Sequence, residues 1–285
     1  MNIQLSSFQK TAHILLVEDH LVNSLVATNM LKKLGCTVEV VTNGYRAVEV
    51  CEQHRYDLIL MDIQMPAMGG VEATRLILQG ASRDTPIIAM TANNNDAEIE
   101  SYLAAGMKDC VSKPIILEQL RFIVEKYTGF LILPPQHGKT ESETEDEEYV
   151  KQTKKTTAPQ NDKSMVRESQ PAAWEKLPIF DFEQAKRISI GNQDMLEKIL
   201  NKFNQDMPKQ FEKLKMAIQA ANQIEIQRIA HSIKGSAQSI GAFRLGEVAM
   251  KAENLAKIGH LQKITDLVET LQEEFKQLQA NLQRD

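Results

Sequence analysis

Acidic, hydroxyl and cationic side chains recur at the ends of short apolar runs in the first 128 residues. Glu18 and Asp19 follow the run His13–Val17, Asp62 closes the run that begins at Asp57, Thr91 follows Pro86–Met90, and Lys113-Pro114 follows Asp109–Ser112. If the runs are parallel strands, their carboxyl ends share one edge, and these distant groups converge on one pocket. Three carboxylates gathered there repel one another unless a hard, oxygen-seeking divalent cation sits among them, and Mg²⁺ is the expected ion. Metal, lysine and hydroxyl then make an electrophilic cradle around Asp62, as phosphoryl transfer requires. A single aspartate at a strand end is commonly just a helix N-cap. The joint arrangement is what points to chemistry.

A second candidate is His231, in the segment Ile229–Ala242. At about 100° per residue, Ile226, Ile229, Ile233, Ala237 and Ile240 fall within roughly 40° of one line, and His231 lies about 160° away from it. The pattern predicts a helix that buries the isoleucines and turns His231 to solvent, with Gly235 and Gln238 on its face and Lys234 beside it. A mid-helix glycine costs roughly 1 kcal/mol of propensity. Clearing a side chain from beside an imidazole lets another protein's loop approach, and Lys234 supplies charge for a transferred phosphoryl group.

The elements that must position these groups differ between the two halves. In residues 12–128, β-branched runs at His13–Val17, Thr37–Val41, Asp57–Met61, Pro86–Met90 and Asp109–Ser112 alternate with helical patterns. Continuous apolar runs imply strands buried on both faces, hence a doubly wound α/β fold with a five-stranded parallel sheet. From Phe180 onward only helical periods remain. One stripe runs Leu196, Leu200, Phe203, Met207, Phe211, Leu214, Ile218, with a kink expected at Pro208; another runs Leu261, Ile264, Val268, Leu271, Phe275, Leu278, Leu282. With further helices near 224–239 and 243–258, residues 179–285 read as an all-α antiparallel bundle. Between the halves, residues 129–178 hold the run ESETEDEE (Glu141 to Glu148) and a Lys/Thr/Gln/Ser-rich stretch without periodicity, read as a flexible acidic linker. Residues 1–11 read as an N-terminal extension.

Composition narrows the function classes. The chain has 285 residues, 42% hydrophobic and 25% charged, with net charge −5. Residues 1–128 carry 11 basic and 15 acidic groups, 129–178 carry 7 and 9, and 179–285 carry 15 and 14, so neither half is a basic nucleic-acid-binding module. The apolar runs are far short of the ~20 residues of a membrane helix, and the N-terminus lacks a secretory pattern. Three widely spaced cysteines, Cys36, Cys51 and Cys110, read as free thiols in a reducing, cytoplasmic setting.

The first half resembles the response-regulator receiver domain, through LLVEDH (Leu15–His20), MDIQMPAMGG (Met61–Gly70), AMTAN (Ala89–Asn93) and SKP (Ser112–Pro114). The resemblance implies a flavodoxin-like fold with Asp62 as phosphoacceptor. Mg²⁺ would be held by Glu18, Asp19, Asp62 and the backbone carbonyl of Gln64, with Lys113 neutralising the phosphoryl group and Thr91 following it. It also implies a cis Lys113-Pro114 bond. Three positions depart from the pattern: Cys110 stands where Tyr or Phe is usual, Gly69 where an Asp often caps the next helix, and Asn94 where a small Ala is common. A dehalogenase-type phosphatase would need a second Asp two residues after Asp62, where Gln64 stands.

The second half resembles a histidine-containing phosphotransfer (HPt) domain, through HSIKGSAQSIGA (His231–Ala242). That implies phosphorylation of His231, with Lys234 and Gly235 shaping the docking surface. A receiver followed by HPt resembles the C-terminal end of hybrid sensor histidine kinases, although no ATP-binding kinase motif occurs in this chain. The expectation is a phosphorelay between Asp62 and His231, with an upstream histidine kinase and a downstream response regulator receiver domain as partners, and with neither nucleic acid nor membrane contact. Two alternatives are a receiver-gated interaction or dimerisation module with a passive His231, and a DNA-binding regulator using residues 229–246, against which the weak basic balance counts.

Overall fold

A computed structural model describes residues 11–92, 95–130 and 173–283. The first half alternates strand and helix: β1 (His13–Val17), α1 (Leu21–Lys33), β2 (Thr37–Val41), α2 (Gly44–Gln53), β3 (Leu58–Asp62), α3 (Gly70–Gln79), β4 (Ile87–Thr91), α4 (Asp96–Ala104), β5 (Asp109–Ser112) and α5 (Leu117–Thr128). All strand pairs are parallel, in the order β2-β1-β3-β4-β5. β3 and β4 are buried along their whole length, as unbroken apolar runs require. Each starts one residue later than the sequence predicts. Asp57 instead accepts the His13 N–H through its carboxylate at 2.8 Å, and β3 and β4 end on Asp62 and Thr91 themselves.

The register puts Asp62 beside Met90 and Thr91 beside Ser112, so the polar groups share one sheet edge. The Lys113-Pro114 bond is cis. Gly69 is the N-cap of α3 and supplies no side-chain bond there, as the missing Asp predicts. The next glycine allows a close approach. A Cβ on Gly70 would stand 2.2 Å from the Asp62 carbonyl oxygen, so α3 packs directly on the end of β3 because position 70 has no side chain.

The second half is helical: α6 (Phe182–Ser189), α7 (Gln193–Gln219), α8 (Gln223–Ser239), α9 (Phe243–Lys257) and α10 (Leu261–Leu282). Asp181, Asn192 and Asn222 cap α6, α7 and α8, each side chain accepting the N–H three residues on. Helix α7 runs unbroken through Pro208. The predicted stripes are the core, with Leu196, Phe203, Met207, Phe211 and Leu214 of α7 facing Ile264, Val268, Leu271, Phe275 and Leu278 of α10.

The 3-10 turn Ala173–Lys176 falls inside the stretch expected to be linker. Lys251 sets its ammonium 3.5 Å from the centre of the Trp174 ring, a cation–π contact that fixes this turn on α9. Residues 131–172 of the expected linker, and residues 1–10, lie outside the described residues. The receiver-like half and the bundle belong to one compact unit, with α1 packed against α6, α7 and α8 and one apolar cluster running through both. Among the described residues no helix is long and apolar enough to cross a membrane.

Candidate functional site

The acidic pocket forms where β1, β3, β4 and β5 end. Lys113 donates to Glu18 Oε2 at 2.6 Å and to Asp62 Oδ2 at 2.7 Å, with Glu18 and Asp62 almost fully buried. The second oxygen of Glu18 accepts from the His20 N–H and from Asn23 Nδ2, and Asp62 Oδ1 accepts the Gln64 N–H at 3.1 Å. Glu18, Asp19 and Asp62 each offer a carboxylate oxygen, all within 4.8 Å of one another.

Electrostatics show why this pocket wants positive charge. Burial pushes Asp62 up to about 6, with Glu18 adding to the shift and Lys113 opposing it. Burial and the Asp62 charge likewise raise Asp19. Burial alone would lower the Lys113 ammonium, but Asp62 and Glu18 outweigh it and hold it above its ordinary value. Three hard oxygen donors, two of them reluctant to ionise, fit a hard divalent cation better than any soft or nitrogen-seeking metal. Gln64 lines the same cavity, as a backbone carbonyl ligand there requires.

Thr91, 4% exposed, is hydrogen-bonded to the phenol of Tyr102 on α4, which itself donates to Glu98 Oε2 at 2.9 Å. Cys110 leaves the usual aromatic position empty, and a ring from the preceding helix stands near the same hydroxyl. The sequence gives a signal only in hindsight, since Tyr102 looks like one more apolar position on α4.

The bundle brings His231 to this pocket. The stripe Ile226, Ile229, Ile233, Ala237, Ile240 is buried as predicted. His231 does not face solvent: it is 8% exposed, because the receiver-like half covers the face that helical geometry turned outward. One cavity is lined by Glu18, Asp19, Asp62, Gln64 and Lys113 from the sheet edge and by Arg228, His231, Ser232 and Gly235 from α8. Gly235 lies against α1, where an added Cβ would meet Asn23 Nδ2 at 3.4 Å.

Four polar contacts frame this junction. His20 bonds to the Ser236 hydroxyl at 2.9 Å and to Asp206 Oδ2 at 3.2 Å, Ser239 donates to Asn23 Oδ1 at 3.0 Å, and Arg228 Nη1 stands 3.5 Å from Asp19 Oδ2.

Lys234 is not among the residues lining the cavity. Its ammonium donates to Glu253 Oε2 at 2.7 Å, and the other oxygen of that carboxylate lies 3.2 Å from His231 Nδ1. Glu253, 2% exposed, would be raised by burial, but His231 and Lys234 overrule this and hold it at about 2. A carboxylate can only accept, so Nδ1 carries the proton, and in the neutral ring Nε2 is the nitrogen with the lone pair. Sequence reasoning missed Glu253 and Arg228. The first was signalled by an acid on the apolar face of α9 between Ala249 and Ala256, where a buried charge needs a cation. The second sits three residues before His231, one turn away on the same face.

Two family models match: the response regulator receiver domain over residues 14–125 and the Hpt domain over residues 198–281. Among curated proteins, the chain is 31% identical over 207 residues to the transcription factor SKN7 of Saccharomyces cerevisiae, covering 68% of this chain and 32% of that protein. It is 29% identical over 266 residues to the aerobic respiration control sensor protein ArcB of Escherichia coli, covering 93% of this chain and 30% of that protein. The chain thus spans about a third of these relatives. Among solved structures, the magnesium-bound receiver domain of sensor histidine kinase PA1611 from Pseudomonas aeruginosa is 42% identical, covering 42% of this chain and 98% of its own, at a TM-score of 0.40. With both models matched in order on the α/β half and the bundle, the chain carries a receiver domain followed by an Hpt domain, the two modules of two-component phosphorelay.

Proposed function

We propose that this chain passes a phosphoryl group between Asp62 and His231, and that it exchanges the group with an upstream histidine kinase and a downstream receiver domain. The observation that carries the reading is the single cavity lined by both nucleophiles, with Lys113 and Arg228 beside them. In the forward direction His231 Nε2 attacks the phosphorus of the Asp62 acyl phosphate. The N–P bond forms, the acyl O–P bond breaks, and Asp62 leaves as a carboxylate held by Lys113. Glu253 accepts the Nδ1–H hydrogen bond throughout and stabilises the positive charge that develops on the ring. Glu18, Asp19, Asp62 and the Gln64 carbonyl would hold Mg²⁺, which would neutralise phosphoryl oxygens when bound.

The test uses full chains. Wild type labelled by acetyl phosphate with Mg²⁺ is sampled across a dilution series, in parallel with a mixture of Asp62→Asn and His231→Gln chains. Acid-labile phosphohistidine should form in wild type at a rate independent of concentration, and in the mixture at a rate that falls on dilution. Phosphohistidine in the His231→Gln chain alone would refute the assignment of His231. Wild-type rates proportional to concentration would refute transfer within one chain.

A further inference from the structure

We propose that Arg228 is a catalytic residue of the transfer, a guanidinium brought by the bundle to hold the phosphoryl oxygens while the group is between Asp62 and His231. This rests on the relay reading above and adds to it the residue that carries charge from the bundle side.

In flight, the phosphoryl group spreads negative charge over three oxygens, and a dry site must supply cations aimed at them. Sequence reasoning gave that task on α8 to Lys234, but Lys234 is 8% exposed and committed to Glu253. Among the described residues, the lysine and arginine side chains lining the cavity are Lys113 and Arg228. Lys113 already donates to Glu18 and Asp62 from the acyl side.

Arg228 comes from the opposite wall. Its Nε and Nη2 both donate to the Glu225 carboxylate one turn earlier, the first at 2.9 Å and the second at 2.5 Å. That two-point hold leaves Nη1 pointing forward, 3.5 Å from Asp19 Oδ2 and on the same helical face as His231. A guanidinium stays charged at any working pH and presents planar paired donors, which match phosphoryl oxygens as an ammonium does not. Its contact with Asp19 at 3.5 Å is long and exchangeable. A phosphoryl group in the cavity offers Nη1 a stronger acceptor.

The experiment measures phosphoryl transfer from the Asp62-labelled His231→Gln chain to an excess of Asp62→Asn chain, in which Arg228 is intact, replaced by Ala, or replaced by Lys. Acceptor concentration is varied so that the limiting rate separates from the half-saturating concentration. Arg228→Ala should lower the limiting rate about 100-fold, the scale for removing one aimed donor from a charged transition state. Arg228→Lys should fall between the two. The far-UV circular dichroism spectrum of the Arg228→Ala chain should overlay that of the intact chain and report intact folding.

A rise in half-saturating concentration with an unchanged limiting rate would make Arg228 a docking contact only and overturn the proposal. So would equal limiting rates for Ala and Lys. If the acceptor with intact Arg228 takes no label and the wild-type chain forms no phosphohistidine, the relay reading itself fails, an outcome distinct from an Arg228-specific loss.

Discussion

Glu253→Gln isolates what one buried carboxylate does for both stability and chemistry. In the wild type its pKa falls from an ordinary 4.5 to about 2, equivalent to about 3 kcal/mol of folding stability at neutral pH. A depressed acid contributes that stability fully above 4.5 and loses it as pH falls through about 2. Glutamine keeps the shape and one acceptor but leaves the buried Lys234 ammonium without its counter-charge, so the loss at pH 7 should be about 2–3 kcal/mol. For a compact unit of this size that lowers the melting temperature by about 4–12 °C.

Thermal and urea unfolding of the full chains at pH 7, 5 and 3 read this directly. The gap between wild type and variant should be steady from pH 7 to 5 and close toward pH 2. Transfer should slow as well, by about 10-fold or more, because the amide can donate to Nδ1 and so favour the tautomer that blocks Nε2. A gap below 0.5 kcal/mol at pH 7, roughly the scale of a neutral surface change, or one that does not vary with pH, would refute the reasoning.

Asp62→Asn should abolish Mg²⁺-dependent labelling by acetyl phosphate, read by intact mass, since an amide is a poor nucleophile. Because burial raises Asp62 to about 6, its ionisation costs stability as pH rises from 3.8 through 6; Mg²⁺ should therefore raise the wild-type melting temperature more at pH 7.5 than at pH 5, and little in Asp62→Asn. Gly70→Ala must push α3 off the Asp62 carbonyl and should cost about 1–3 kcal/mol by denaturant unfolding, with slower labelling. Tyr102→Phe removes the phenol shared by Thr91 and Glu98; amide exchange across residues 96–104 should then respond less to the phosphoryl mimic beryllofluoride than in wild type, and an equal response would exclude Tyr102 from following the switch.

What could be read from the sequence was whatever depends on local periodicity. The strand runs and the isoleucine stripe of α8 name their own buried faces, because a run or a 3–4 spacing has one economical solution. The parallel edge then follows, and with it the convergence of Glu18, Asp19, Asp62, Thr91 and Lys113. The exposure of His231 was not legible. Helical geometry says only that it points away from the bundle core, and whether water or α1 lies there depends on a contact more than 200 residues away in sequence. The direction of the Lys234 ammonium was not legible for the same reason. Its partner is on α9, and only the docking of two helices decides which way a flexible ammonium turns.

The junction is tied to the acidic pocket through shared carboxylates. Asn23 donates to Glu18 while accepting from Ser239 of the bundle, and Arg228 of the bundle faces Asp19. Any change in charge at Glu18, Asp19 or Asp62 therefore alters groups that also hold the bundle in place, and undocking the bundle returns those groups to the pocket. Two equilibria that share ligands are linked, and the linkage is reciprocal: whatever factor a cation or phosphoryl group applies to docking, docking applies to its binding. Its sign turns on Arg228. On the proposed relay, a cation on Asp19 would compete with the guanidinium and loosen the junction, whereas a phosphoryl group would add an acceptor for it and tighten the junction when His231 must be close.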